Sequence, residues 1–499
     1  MIVSSFLRFE SVTFRYTGSP RAAVRDVSFT TEPGWIVLAG ANGSGKTTLL
    51  KLATGFLRPD TGVVEASGDA LYCPQRTDRP PKGFRQLVRQ GLFAELLAKL
   101  EIDWDWPDRW QTLSHGERKR SQLAVALARN PDILAVDEPV NHLDSRGREM
   151  IHGALQSYSG IGLLVSHDRI LMDSLASRCG IMHSDGLVVR RGGYTVAKRE
   201  DDRELKAKRA ARSRAAAKLD QLRRDARHKE LTARTLQARS SGRRLTYKEI
   251  CTYNVDGPSR VDSSVQKAGK LSRTARARVA RAREEMESIT YRRVHRTGIV
   301  MEGERCQRNL LLELPGDNIR VGSTPLEYPR LTVLPGDRIA LTGPNGSGKS
   351  TLIEFIVGEL HLPEGRLLYI PQELTADQSC RALSQVIELD NEMLGQAMIC
   401  VRRLGSDPRA LLDSHSPSPG ETRKLLLCLG ILDRPWLVIM DEPTNHLDLP
   451  GIECLEEALK GLCCALLLVS HDRRFLGNTT DIRWKLETEP AGTKLVVRA

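Results

Sequence analysis

The 499-residue sequence is poor in aromatic side chains, 5% of the total, and holds no apolar run near the roughly 20 residues that a membrane helix needs. The chain is therefore not expected to span a bilayer. Its ten cysteines, at 73, 179, 251, 306, 380, 400, 428, 454, 463 and 464, form no CxxC pair and have no His-rich partner spacing. That argues against zinc or iron–sulfur frameworks and for reduced, mostly buried thiols. The opening MIVSSFLRFE has no basic flank followed by an apolar run, so no secretory leader and a cytoplasmic location are expected. Acidic residues are the scarcer charge, 62 against 74 Lys plus Arg, and 56 of the basic residues are Arg. The imbalance is local: residues 201–300 carry 27 basic and 12 acidic side chains, net +15, which leaves 47 and 50, net −3, elsewhere. One segment is thus built for an anionic partner.

What is present is a repeat. GANGSGKTTLL from Gly40 recurs as GPNGSGKSTLI from Gly343, an offset of 303. VDEPVNHLD from Val136 recurs as MDEPTNHLD from Met440, and LLVSHDR recurs with His167 matching His471, both at 304. Shared spacing of three blocks implies two homologous domains, 1–197 and 299–499, around a basic segment, 198–298. Each half reads as α/β. Ile36 to Ala39 is an apolar strand running into a glycine loop, and Ile133 to Val136 is another that ends at Asp137, a pattern of parallel strands with ligands at their carboxyl ends.

The middle segment nearly lacks proline and glycine where it is longest. Lys198 to Arg239 and Ser264 to His295 are crowded with Ala, Arg, Leu, Gln and Glu, and only Gly269 interrupts them. An antiparallel helical hairpin is expected, with a tip loop at about 240–263 containing Gly242 and Gly257-Pro258. Within it, Leu245, Tyr247, Ile250, Tyr253 and Val255 are candidates for contact with RNA, or for a tip that folds back on the hairpin. Only Tyr247, Tyr253 and Tyr291 are aromatic between 201 and 300, which limits base stacking there.

The pattern GxxxxGK[ST] after a strand lets successive backbone N–H groups wrap phosphate oxygens at a helix N-terminus. Candidate phosphate ligands are Gly40, Asn42, Gly43, Gly45, Lys46, Thr47 and Thr48, with Gly343, Asn345, Gly346, Gly348, Lys349, Ser350 and Thr351 in the second half. Lys46 and Lys349 are placed to reach the β- and γ-phosphates, and the Thr47 and Ser350 hydroxyls to ligate Mg2+. Asp137 and Asp441 close apolar strands, where a carboxylate is costly unless it faces a cation. Glu138 and Glu442 follow, placed to polarise the water that attacks the γ-phosphorus of ATP. His167 and His471 follow 30 residues past each Asp, as candidate γ-phosphate partners.

On these residues the chain resembles the ATP-binding cassette superfamily over about 400 of its 499 residues. The two glycine loops match Walker A, Asp137-Glu138 and Asp441-Glu442 match Walker B, and His167 and His471 match the switch histidine. Gln75 and Gln372 match the Q-loop, which the resemblance makes further Mg2+ ligands. Leu113-Ser114-His115-Gly116-Glu117 and Pro417-Ser418-Pro419-Gly420-Glu421 stand at the signature and depart from LSGGQ. The resemblance implies intramolecular head-to-tail pairing in a monomer, so that Lys46 shares its ATP with Ser418 and Gly420, and Lys349 with Ser114 and Gly116. Pro419 removes an N–H at the first mouth, so unequal sites are expected. Tyr16 stands where the family stacks an aromatic on adenine; the second half has Ile319 and Arg320 there.

DEPTNHLD, fused cassettes and a charged inter-cassette linker look like the ABC-F family, whose members act on ribosomes. The resemblance implies an ATPase that closes on ATP, docks at the ribosomal E site beside rRNA and the P-site tRNA, and reaches toward the peptidyl-transferase centre with its hairpin, without a membrane subunit. Only 37 residues separate Gln75 from Leu113, too few for the extra arm of housekeeping members, which favours an antibiotic-resistance type. Alternatives are an ABC-F translation factor without a resistance role, and the motor of a drug exporter. Trp104, Trp106 and Trp110 in that interval are expected in a helical-subdomain core.

Overall fold

A computed structural model describes the chain except for residues 1–4, 91–92, 142, 184–185, 242–246, 290–305, 307, 323, 375, 405, 407, 409–410, 412–417, 446, 490–491 and 499. The described residues form two compact units: Met1–Ala197 with His295–Ala499, and Lys198–Val294.

In the first unit each half is built on a mostly parallel sheet. Six strands in the first half run in the order Ala70–Cys73, Ile133–Asp137, Ile161–Val165, Gly34–Gly40, Ala176–His183, Gly186–Arg191, with only the last pair antiparallel. Ile133–Asp137 and Ile161–Val165 are buried at every position, as strands covered on both faces must be, and this explains their unbroken apolar sequence. A three-stranded antiparallel sheet centred on Leu7–Phe14 packs its apolar face against the helix Lys46–Ala53. The second half repeats the parallel core: Arg338–Thr342 lies between Ala465–Val469 and Ile482–Glu489, and Leu437–Asp441 lies between Ala465–Val469 and Leu367–Ile370. In register, Asp137 lies beside Val165 and Asp441 beside Val469, so the loops that follow open at one edge of each sheet.

The helical subdomain of the first half closes on a small core of Phe84, Trp106, Trp110, Leu113 and Val125. Trp104 is not part of it. At 80% exposure it corrects the expectation of three buried tryptophans, because only Trp106 and Trp110 face that cluster.

The second unit is an antiparallel pair of long helices. Tyr194–Ser241 begins in the first unit and is 48 residues long, and Tyr247–Ser288 is 42, about 70 Å and about 60 Å at 1.5 Å per residue. Their direction is fixed by cross-pairs that advance along one helix and retreat along the other: Lys218 with Glu285 at 3.1 Å, and Glu230 with Arg276 at 2.6 Å. Among the described residues Ala215, Leu219, Ala275 and Ala282 are buried, mostly small ones that let two helices approach.

The loop expected at about 240–263 is helical at 240–241 and 247–263, and 242–246 lie outside the described residues. Helix resumes at Tyr247 and runs through Gly257 and Pro258, so Tyr247, Ile250, Tyr253 and Val255 sit on helical backbone, and Leu245 lies outside the described residues. Proline removes one ladder hydrogen bond, but helix propagation is cooperative and the flanking residues continue it on both sides. No helix among the described residues is long and apolar enough to cross a membrane.

Candidate functional site

In the first half the strand Gly34–Gly40 delivers the chain into a loop that turns at once into the helix Lys46–Ala53. Gly45, the residue before that helix, has φ +97°, and a side chain there would run into the carbonyl of Ala23. The Lys46 ammonium bridges the carbonyls of Gly40 and Ala41, at 2.9 Å each, and so folds over the loop. Burial lowers its pKa, opposed by Glu138, Asp448 and Asp137. Thr47 Oγ1 donates to Asp137 Oδ2 at 2.9 Å, and Tyr72 donates to the same oxygen at 3.0 Å. The second half repeats this: Lys349 reaches the carbonyls of Gly343 and Pro344 at 3.0 and 2.8 Å, and Ser350 Oγ donates to Asp441 Oδ2 at 2.6 Å.

Both glutamates follow their strands in the left-handed region, Glu138 at φ +46° and Glu442 at φ +48°, while their N–H groups still donate to the carbonyls of Val165 and Val469 at 2.9 Å. This kink turns each carboxylate into the site at a backbone cost of about 1–3 kcal/mol. His167 Nε2 lies 3.2 Å from Glu138 Oε1, and His471 Nε2 lies 3.5 Å from Glu442 Oε1 and 3.0 Å from Asn345 Oδ1. Oε1 of each glutamate is buried without an aligned hydrogen-bond donor among the described residues. Such an oxygen keeps its capacity to accept a proton from a water or a ligand. Burial raises the pKa of Glu138, and that of Glu442 to about 7, with Asp441 adding to the latter. His471 is pushed the other way, to about 3, by burial and by Lys349 and Arg148.

A cleft of about 580 Å³ opens over the first loop. It is lined by the expected Tyr16, Asn42, Gly43, Gly45, Lys46, Thr47, Thr48, Gln75, Asp137, Glu138 and His167. Tyr16 is 42% exposed, edge-on to Phe14 and hydrogen-bonded to Thr48 at 3.2 Å. Its opposite wall belongs to the second half, from Thr444, Asn445, Leu447, Ile452 and Asp472; Ser418 and Gly420 are not among the lining residues. Ser418 instead caps the helix Pro419–Leu432 through a reciprocal capping box with Glu421, and Ser114 does the same with Glu117 for His115–Ala128. Pro419 therefore occupies the first helical turn, where a missing N–H costs least. Gly116 packs against Leu143, and Gln372 accepts from Arg423 through its carbonyl. Gly346, Gly348 and Thr351 lie on the second loop and the start of Lys349–Glu359, and a side chain at Gly343 would press on Leu486 and Ser347.

Sequence reasoning missed the groups that join the halves. Asp448 accepts from the Asn42 N–H at 2.7 Å, Tyr194 donates to Glu453 at 2.7 Å, and Arg169 pairs with Glu456 and with Asp472. It also missed Lys119, fully buried, whose ammonium donates to the carbonyls of Pro74 and Asp137 at 2.6 and 3.1 Å beneath the first carboxylates. The offset of 304 already placed Arg423 opposite it, and Arg423 holds the Glu442 carbonyl in the same way.

Two phosphate-cradling loops on parallel sheets, each facing a strand-end Asp-Glu pair and a histidine, define a tandem ATP-binding-cassette ATPase. The ABC transporter family (ABC_tran) matches residues 24–141 and 326–445. The tylosin resistance ATP-binding protein TlrC of Streptomyces fradiae is 30% identical over 96% of this chain and 98% of its own length. The ribosome protection protein VmlR of Bacillus subtilis (strain 168) is 29% identical over 93% and 84%. A crystal structure of the archaeal ribosome recycling factor aABCE1 with the stalk protein aP1 shares the fold at TM-score 0.62 and 18% identity, over 97% of this chain and 89% of that one. The chain belongs to the ABC-F family of ATP-binding-cassette ATPases.

Proposed function

We propose that this ATPase is a ribosomal protection protein, which binds the E site in its ATP-closed form and dislodges antibiotics from the peptidyl-transferase centre or exit tunnel. The observation that carries the reading is the separate unit of two long helices, drawn from a segment of net charge +15, in a chain related over nearly its whole length to a protein named for tylosin resistance. Exposed Arg on paired helices can neutralise phosphates and fork onto them, which suits rRNA and P-site tRNA. An exporter motor has no use for such a unit.

In this reading Lys46 and Lys349 bind the β- and γ-phosphates, and Tyr16 stacks on one adenine. Thr47, Asp137 and Gln75, with Ser350, Asp441 and Gln372, hold Mg2+, which neutralises phosphate charge when bound. The hydroxyl-to-carboxylate pairs at 2.9 and 2.6 Å are the hard oxygen donors that such a cation takes. Glu138 and Glu442 orient the attacking water, for which a buried Oε1 with no aligned hydrogen bond among the described residues is suited. His167 and His471 steady the γ-phosphate. Ser114 with Gly116, and Ser418 with Gly420, complete the opposite sites only when the halves close on ATP.

The test is co-sedimentation of Glu138→Gln/Glu442→Gln protein with intact ribosomes. ATP-dependent retention in the ribosome pellet is expected, and a protein that stays in the supernatant overturns the reading. Inhibitory concentrations in a susceptible host separate protection from a translation factor without a resistance role: unchanged values for every drug class favour the latter.

A further inference from the structure

The offset of 304 that pairs the halves also pairs two buried basic side chains, Lys119 and Arg423, 0% and 4% exposed. Each stands two residues beyond the glutamate of a capping box, on the helices His115–Ala128 and Pro419–Leu432. Their hydrogen-bond partners are main-chain carbonyls. Lys119 Nζ donates to the Pro74 carbonyl at 2.6 Å and to the Asp137 carbonyl at 3.1 Å. The first carbonyl belongs to the peptide that leads into Gln75, and the second to the peptide that leads into Glu138. The N–H of that second peptide donates to the Val165 carbonyl at 2.9 Å, so the peptide is gripped at both ends just where Glu138 turns to φ +46°. A residue other than glycine stays in the left-handed region only where its surroundings over-determine it.

Arg423 does the same one peptide later. Its Nη2 donates to the Gln372 carbonyl, and its Nη1 to the carbonyls of Glu442 at 3.0 Å and Asn445 at 3.3 Å. Glu442, at φ +48°, is thus tied on its near side by the Val469 carbonyl at 2.9 Å and on its far side by Arg423. The longer, forked side chain spans the extra peptide.

We propose that Lys119 and Arg423 are positioning residues, each a strut that fixes the glutamine and the glutamate of its own half's nucleotide site from beneath. Lys119 does not line the first cleft, so it acts through the main chain of Gln75 and Glu138 and not on the nucleotide. Its effect is on where the Glu138 carboxylate stands against the attacking water, and a misplacement of about 1 Å in such a group can cost about a hundredfold in rate. Arg423 bears on Glu442 in the same way. A cation that merely fills the core makes a different forecast: its loss lowers stability and slows both sites alike. The inference rests on the assignment of Glu138 and Glu442 as the water-orienting groups but needs no ribosome, so its failure is distinct from failure of the ribosomal reading.

The experiment measures single-turnover ATP hydrolysis by the full chain, at a temperature where thermal unfolding shows every variant folded. Lys119→Met, which keeps the stem and removes the donors, is combined with Glu442→Gln, which leaves the first site working, and separately with Glu138→Gln, which leaves the second. A loss of at least about tenfold at the first site is expected, with the KM for ATP within about twofold, against less than about threefold at the second. Arg423→Met gives the reverse pattern. Lys119→Arg, which restores donors in the form the second half uses, recovers most of the rate, and Lys119→Gln, a shorter polar replacement, carries the same comparison if Lys119→Met does not fold. Equal losses at the two sites, a loss below about threefold at the site beside the altered strut, or a rise in KM without a fall in rate overturns the inference. Persistent hydrolysis in Glu138→Gln/Glu442→Gln overturns it by a separate route, through the glutamate assignment beneath it.

Discussion

Arg169 of the first half and Glu456 of the second form an ion pair buried inside the chain, at 3% and 7% exposure, with Asp472 a further 3.3 Å acceptor. Arg169 follows His167 by two residues and Asp472 follows His471 by one, so the pair ties together the two segments that carry the switch histidines. At the equivalent place across the repeat, Arg473 meets Glu149 at 2.7 Å with both side chains more than half exposed. The join between the halves is therefore tight on one side and solvated on the other.

Arg169→Ala should destabilise the protein by about 3–5 kcal/mol, since it leaves Glu456 and Asp472 buried without their cation. Arg473→Ala should cost under about 1 kcal/mol, as exposed pairs do. Thermal unfolding of the two variants side by side checks this. Equal midpoints would show that the buried triad does not hold the halves.

Backbone geometry at the phosphate loops gives a second contrast. A methyl at Gly45 meets a main-chain carbonyl, which cannot move aside, at φ +97°. At Gly348, φ +91°, it meets the side chains of Val321 and Leu326, the nearest at 2.6 Å, which have some freedom to yield. Gly45→Ala should reduce bound ATP from two per chain to one, and Gly348→Ala should weaken binding without abolishing it. Equilibrium dialysis against labelled ATP counts the sites.

Much of this was legible because phosphate chemistry is local in sequence. Lys46 and the loop carbonyls it bridges lie within six residues, and spacing alone announces such a site. Strand-end carboxylates were legible for a related reason: an acid closing a buried apolar strand has few explanations. The Asn42–Asp448 bond and the Arg169–Glu456 pair were not, because their partners lie 406 and 287 residues away and the pattern of each half says nothing about how the halves meet. The helix through Gly257-Pro258 defeated a turn rule that weighs two residues without their long helical flanks.

The acid groups of the second site set a dependence on pH in the nucleotide-free protein. Glu442 has its pKa raised from 4.5 to about 7, so the folded state holds the proton more tightly than the unfolded one. Its contribution is favourable at acid pH and is lost as pH rises through the window from 4.5 to about 7. His471, lowered from 6.5 to about 3, has the opposite slope: the unfolded state binds its proton first, so stability rises with pH between about 3 and 6.5. The two partly cancel in the parent protein. Glu442→Gln removes one of them, so its thermal midpoint relative to the parent should climb between about pH 5 and 7.5. A constant difference over that range would show that Glu442 is ionised at an ordinary pKa.

If the helical unit binds RNA through its charge, ribosome affinity should fall steeply with salt. Arg224, Arg227, Arg273 and Arg278 are exposed on the two helices, Arg224 and Arg227 on one and Arg273 and Arg278 on the other. Each phosphate neutralised releases condensed counterions, so the logarithm of affinity falls with the logarithm of salt at a slope of about 0.7 to 0.9 per contact. Changing all four to Gln should reduce the salt slope of ribosome binding by about 3, if every one of them meets a phosphate, and by proportionally less otherwise. Ribosome-free ATP hydrolysis should not change, because none of the four lines the clefts. Neither should helix content, since exposed substitutions of this kind stay within about 0.5 kcal/mol. A slope equal to that of the parent protein would mean that the positive charge of the hairpin serves solubility or a face turned away from RNA, and the ribosomal reading would then have to rest on the cassettes alone.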